Sequence, residues 1–335
     1  MQIQSPPHFA RSFGKDAAAF IQDDYKLSPR LTLNLGLRWE YDGMMYDRYG
    51  NDTNIWISQL QTVLIPGSSP ATGTPVGFVV PANFTGRVAP GVLKSSHDIP
   101  TRNNPPRDNF APRVGFAWQP LDTPRLVIRG AGGFFYDRIA GASIIQSVQL
   151  QPPYAADASG GTGAGLAQPF NTLTAGAFPV RWANFTNGST SNLNEVIMGE
   201  NFLTPLVYSW NINVQYEFVK DWVLELGSVG SRGIHQITRG WNFNAPYLAS
   251  AANPVNGITT NRTSNYLVRV PYLGLSENST VETTNGDFKY NSLQAAVRKR
   301  FSKGFTVQAA YTWSRAFTTN NLASGIRTTS ASSMA

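Results

Sequence analysis

Three histidines, His8, His97 and His235, are the side chains best suited to proton transfer or metal ligation near neutral pH. They sit on separate segments with no shared spacing to carboxylates, so a metal site or a catalytic triad would need them to converge through long connections. The expectation is three solvated loop histidines. Gly160-Gly161-Thr162-Gly163-Ala164-Gly165 has the composition of a phosphate cradle. It lacks the G-x-G-x-x-G spacing and is not followed by Lys-Ser/Thr, so it reads as a loop tip. Asp47, Asp52 and Asn54 offer hard oxygen ligands for calcium, but not at EF-hand spacing. Arg298-Lys299-Arg300 with Phe301 and Lys303 has the makings of a nucleic-acid patch. The competing reading is a strand end with its turn, and no nucleic-acid partner is expected. The absence of cysteine excludes thiolate metal sites and a disulfide framework. No catalytic, cofactor-binding or metal residue is assigned, no cofactor is expected, and the substrate-binding residues stay open. The chain does not read as an enzyme.

The elements that would carry such residues are clearer than the residues themselves. From Leu31 to Tyr41 the sequence runs Leu-Thr-Leu-Asn-Leu-Gly-Leu-Arg-Trp-Glu-Tyr, apolar at every odd position and polar at nearly every even one. A period of two held over this length predicts a strand with one apolar and one polar face. Ser28-Pro29-Arg30 makes a tight connection to a partner strand over 17–27. The arrangement recurs at 110–136, 206–232 and 290–316, which gives four hairpins and eight strands. Their predicted lengths of about 10 to 13 residues exceed the usual mode of about 5 to 6. They match the roughly 9 to 11 residues that a tilted strand needs to cross a bilayer.

Connections alternate in size. Within hairpins they are short, whereas 42–109, 137–203 and 233–289 are long. Short turns at one end and long extracellular loops at the other are the signature of a membrane barrel. Aromatic residues agree. Trp39 and Tyr41, Phe134 and Tyr136, Tyr208 and Trp210, and Tyr311 and Trp313 lie on the apolar face near the loop end. Tyr25, Trp118, Phe218, Trp222, Phe301 and Phe305 lie at the turn end, so two girdles are expected. The opposite face carries Asn34, Arg38, Arg113, Asn211, Asn213, Gln215, Gln294 and Arg298, as a wet or plugged lumen requires. Two charges break the pattern. Lys299 lies near its turn, and for the deeper Asp23 a bulge or register shift is expected.

The chain has 335 residues, 41% hydrophobic, 12% aromatic and only 14% charged, with a net charge of +7 scattered along its length. Mean hydropathy is slightly negative. The longest charge-free stretches, Ile139 to Ala156 and Ala158 to Val180, are interrupted by Gly, Pro, Gln and Thr, so neither spans a membrane as a helix. The start, Met1-Gln2-Ile3-Gln4-Ser5-Pro6-Pro7, shows no secretory signal. The expectation is therefore either a cytosolic protein or a chain whose true beginning lies upstream. The fold class expected is all-β, an antiparallel transmembrane meander in the outer membrane, with residues 1–335 forming a partial barrel. A complete small eight-stranded barrel acting as an adhesin, or a soluble all-β binding module, are the alternatives. Pairing of the first strand with the last would mark the former, and an apolar face buried under a second sheet the latter.

The segment Phe20-Ile21-Gln22-Asp23-Asp24-Tyr25-Lys26, followed by Ser28-Pro29-Arg30-Leu31-Thr32-Leu33-Asn34-Leu35-Gly36-Leu37-Arg38-Trp39-Glu40, resembles a barrel hairpin of Oar-like TonB-dependent outer-membrane receptors. Asn109 to Trp118 and Ile128 to Arg138 are similar to further hairpins, as are Val229-Gly230-Ser231-Arg232-Gly233 and Tyr290-Asn291-Ser292-Leu293-Gln294. The resemblance implies a barrel of about 22 strands, a plug domain, a β-sandwich and an export signal. It implies energised uptake of a bulky ligand, the plug coupling to the TonB complex. The plug and the signal do not appear in this sequence, and Ser332-Ser333-Met334-Ala335 is not a terminal aromatic strand, so a fragment is expected. Its partners would be outer-membrane lipid, the plug and the remaining barrel strands.

Overall fold

The computed structural model describes residues 2–5, 12–64, 73–85, 88, 92–96, 106–139, 141, 148, 156–159, 196–273, 275–302 and 304–319. Eight long strands make its frame: β1 (Asp16–Ser28), β2 (Leu31–Asp42), β3 (Asn109–Trp118), β4 (Leu126–Tyr136), β5 (Leu206–Val219), β6 (Trp222–Asn242), β7 (Thr280–Ser302) and β8 (Phe305–Thr318). Each pairs antiparallel with the one before it, so order in space follows order in the chain. β1 and β8 are the two edges and do not pair with each other, which leaves the sheet open.

The register explains why alternation in the sequence becomes two faces. Leu33 lies opposite Phe116, and the same row continues through Gly130, Ile212, Ser228, Leu293 and Trp313. One residue along, the row is Asn34, Gly115, Ala131, Asn211, Val229, Ser292 and Ser314. Directly opposed residues share a face, so the first row is greasy and the second small and polar. No second sheet covers the greasy side among the described residues. Ile212 is 47% exposed and Leu293 53%.

Large side chains fill the gaps left by glycine on that face. The Phe116 ring lies against Gly130, and the Trp210 ring lies so close to Gly230 that a Cβ there would sit 2.3 Å from it. Both are directly opposed pairs. The turns use equally local chemistry. Ser28 Oγ accepts the Arg30 amide at 3.2 Å. At the β5–β6 turn Asp221 takes a positive φ of 67°, and Glu217 Oε1 accepts its amide at 3.0 Å. A short polar side chain is among the few non-glycine types that tolerate this conformation.

Two expectations need correction. β1 runs in unbroken register with β2 from Asp16 to Lys26, and the irregularity falls at Lys26/Ser28. Asp23 therefore stays on the apolar face, directly opposite Leu35. The third long connection is shorter than 233–289, because β6 continues to Asn242 and β7 begins at Thr280. Register shifts at Gly233/Gln236, Gln236/Thr238 and Thr238/Trp241 interrupt the alternation there, and His235 has φ 56°. A period-two reading loses a strand at every such bulge. The long connections also carry structure of their own.

Residues from all three connections fold together at the loop end. Asn54–Ile55, Phe78–Val80 and Leu93–Lys94 make a small three-stranded sheet. Val196–Met198 pairs in parallel with the outer end of β7. One cluster buries Ile55, Leu60, Phe78, Ile197, Phe243, Leu275 and Val281. A second buries Met44, Ile139, Val148, Met198 and Phe202. Most of the buried apolar side chains of the described residues lie in this layer rather than between strands.

Candidate functional site

Two surfaces are available for binding: the polar face of the sheet and the loop layer above it. On the polar face, side chains make short cross-strand ladders. Asn34 Nδ2 donates to Asp24 Oδ1 at 2.6 Å. Arg129 donates to Gln215 Oε1 at 3.3 Å, and Arg298 meets Glu225 at 3.8 Å. Arg38 pairs with Glu40 on the same strand. The Arg113 guanidinium lies over the Phe135 ring, 4.6 Å from its centroid. A hollow of about 450 Å³ runs along this face, lined by Asn34, Arg113, Arg129, Phe135 and Asn211. Two of these arginines, Arg38 and Arg298, face carboxylates, while Arg129 and Arg113 meet an amide and a ring, which suits hydrated contact with a polar surface. The arrangement offers hydrogen bonding and charge rather than an acid–base pair aimed at one point.

The loop layer is pinned by amides. Asn54 bridges to the segment entering β5: its Nδ2 donates to the Met198 carbonyl at 2.8 Å, and its Oδ1 accepts the Met198 amide at 3.2 Å. Asn244 holds the 272–276 turn, donating to the carbonyls of Tyr272, Leu275 and Ser276 at 3.0–3.1 Å. Its Oδ1 accepts the Tyr272 amide at 2.8 Å. Burial of that tyrosine, and its neighbour Tyr247, raise the Tyr272 pKa above the usual 10.0. Glu282, whose side chain is 3% exposed, pairs with Arg239 at 2.7 Å. A recess of about 460 Å³ opens between Ile57, Glu200, Phe202, Trp241 and Asn285. Trp241 lies in its lining and is 60% exposed.

The residues singled out by type fare as follows. Asp47 and Asp52 are buried and serve the backbone. Asp47 Oδ1 accepts the amides of Tyr49 and Asn51, and Asp52 Oδ2 accepts the amide of Asp47. With Asn54 committed to Met198, the three do not converge as a calcium cage. No group of three or more potential metal ligands occurs among the described residues. His235 lies in a bulge of β6, while His8, His97, Lys303 and the Gly160–Gly165 run lie outside the described residues. Arg298, Lys299 and Arg300 cannot form one patch, since neighbours on a strand face opposite ways. Arg298 joins Glu225 on the polar face. Lys299 turns back on the β7–β8 turn, donating to the Ser302 carbonyl and Oγ at 2.9 Å and lying over the Phe305 ring. That solves the problem of a cation on the greasy side. Ile197, Phe202 and Asn244, which strand alternation does not reveal, sit outside the hairpins, as does Asn54. Short unbroken apolar runs such as Phe78-Val79-Val80 and Val196-Ile197-Met198 were the available signal.

A single antiparallel layer, greasy and uncovered on one side, polar on the other, with tight turns at one end and folded loops at the other, is the wall of a membrane β-barrel. Residues 1–334 match the family model described as outer membrane beta barrel domain, and the chain belongs to that family. The protein is thus one of the outer membrane. Among solved structures it is similar to the outer membrane transporter YddB from Escherichia coli, at 10% identity and a TM-score of 0.42, over 90% of this chain and 24% of that one. It is similar to the siderophore receptor PirA from Pseudomonas aeruginosa at 8% identity and a TM-score of 0.40, over 90% and 32%. The FrpB iron transporter from Neisseria meningitidis is similar at 10% identity and a TM-score of 0.39, over 90% and 26%. The chain therefore spans 24–32% of the length of these proteins. A comparison with curated protein sequences finds no match.

Proposed function

We propose that this chain is a section of the barrel wall of a TonB-dependent receptor, of the kind its first hairpin resembles, and that the whole protein takes up a bulky ligand. The observation that carries this reading is the open sheet: among the described residues β1 and β8 keep unpaired outer edges, so the wall needs further strands to close. Eight strands closed on themselves leave room only for side chains or one small ligand, whereas barrels of about 22 strands hold a plugged lumen. The polar face, rich in Asn, Gln and paired Arg, then meets the plug, and the loop layer makes first contact with ligand. The plug and the coupling to the TonB complex come from the rest of the whole protein. In this reading the protein transports and does no covalent chemistry. The same unpaired edges speak against the small closed adhesin, and the exposed apolar face speaks against a soluble module.

The test is energised uptake by cells carrying the whole protein. Spent medium from expressing and deletion strains is compared, with and without a protonophore, for bulky components that porins exclude. Depletion that needs both the protein and the proton gradient is expected. Depletion that is indifferent to the protonophore would overturn the proposal.

A further inference from the structure

The apolar face carries a basic group where lipid headgroups begin. Arg232 on β6 and Lys289 on β7 are directly opposed, and Lys289 in turn lies opposite Phe317 on β8. Arg315 is opposite Asn291, one pleat nearer the turns. All three belong to the row system that holds Trp210, Leu293 and Trp313, so they share the greasy side. Lys289 and Arg315 are exposed. Like charges directly opposed destabilise a sheet unless something compensates. Asp287 pairs with Arg232 at 3.0 Å, and Arg315 stacks over the Phe317 ring, 4.2 Å from its centroid. Asp287 thus offsets one of the three cations, and Lys289 and Arg315 stand beside that pair on the same face. The group sits at the loop end of the hairpins, above the apolar rows and amid the aromatic band that includes Phe134, Tyr208 and Trp313. In an outer-membrane barrel that is the level of the outer leaflet's headgroups.

Below the basic group the same face is hollowed. A cavity of about 1190 Å³ has Leu35, Val114, Phe134 and Trp210 among its lining, with Gly132 leaving its floor low and Arg232 and Lys289 at its side. Asp23 also lines it, on β1. Five strand spacings separate β1 from β6, about 24 Å along the sheet, so this carboxylate is not part of the basic group and does not compete with a phosphate for its cations.

We infer that Arg232, Lys289 and Arg315 form a binding site for the phosphate groups of a phosphorylated lipid of the outer leaflet, its acyl chains lying in the hollow beside Trp210. Arginine and lysine supply charge-assisted hydrogen bonds to phosphate, and the face beneath them supplies the apolar surface that a soluble anion could not use. The site is independent of the uptake reading and needs only the barrel's place in the outer membrane.

The experiment uses the whole protein in detergent, with lipid retained after gel filtration counted by native mass spectrometry. Diphosphoryl lipid A, enzymatically dephosphorylated lipid A and phosphatidylglycerol are offered separately. The expected result is retention of the diphosphoryl lipid, on the order of tenfold or more above the dephosphorylated form, and its loss in the triple variant Arg232→Gln, Lys289→Gln, Arg315→Gln. A charge-matched control at the other end, Lys26→Gln, Arg125→Gln, Lys220→Gln, should retain the lipid as the parent does. Heat-modifiable migration on a gel shows that each variant still folds. Equal retention of the phosphorylated and dephosphorylated forms, or full retention by the first variant, would refute the site. Equal retention of phosphatidylglycerol would refute the outer-leaflet assignment.

Discussion

Ile212 in the wall and Ile197 in the loop layer are the same residue type, yet one is 47% exposed and the other 1%. Leu293 and Leu275 repeat the contrast at 53% and 1%. The wall leaves its aliphatic side chains bare because its partner is hydrocarbon, which holds them out of water without any packing within the chain. The loop layer stands in water and must build its own interior, so it behaves like a small globular domain whose pieces come from three distant connections. Each region obeys burial of apolar surface, but against a different neighbour.

Truncation should therefore cost most in the layer. Phe202→Ala is expected to remove about 3–5 kcal/mol from the loop layer while leaving the wall intact. Limited trypsin digestion should then cut near Arg48, with heat-modifiable migration unchanged. Simultaneous loss of both would mean that the two regions fold as one.

Charge should distinguish the faces of the wall. Ile212→Arg, on the greasy side and at the middle of β5, is expected to cost about 2–4 kcal/mol in a bilayer, whereas Asn213→Arg on the polar side should cost little. Urea unfolding in lipid vesicles reads both, and similar costs would mean that the faces have been assigned wrongly.

Smaller effects test the packing within each region. Gly230→Ala pushes a methyl into the Trp210 ring and should destabilise the wall by about 1–3 kcal/mol, visible as a lower unfolding midpoint. Asn244→Ala leaves the carbonyls of the 272–276 turn without their donor and should cost about 1–3 kcal/mol, confined to the layer. Hydrogen exchange at that turn is the measurement.

The least effect is expected from pH. Burial raises the Tyr272 pKa, so the fold favours the neutral phenol. Its contribution is complete below pH 10.0 and is lost as pH rises through the higher folded value. Protease resistance of the layer should fall in that alkaline window, and Tyr272→Phe should remove the dependence.

The hairpins were legible because lipid makes one demand on every residue of a strand. Leu31 to Tyr41 alternates without interruption, and β2 follows it almost to the residue. The outer halves of β6 and β7 were hidden, since bulges after Gly233 shift the phase and the loop layer below Trp241 rewards no fixed period. Asp23 was expected to escape by a bulge, and it does not, because backbone pairing with β2 holds its register regardless of the side chain. The candidate site residues read poorly in both directions. Asp47 and Asp52 look like ligands in isolation, and turn out to hold amides of their own loop.

Sequence by itself determined the strands, their two faces and the tight turns, because each follows from interactions between residues near in the chain or from a solvent that is the same along the whole strand. Only the tertiary structure decided which loop residues meet. Asn54 and Met198 are 144 positions apart, and nothing periodic links them. Their contact arises when neighbouring hairpins align and bring the long connections to one end. The gathering of Arg232, Lys289 and Arg315 has the same origin: register, set by backbone hydrogen bonds across three strands, places side by side charges that the sequence keeps far apart.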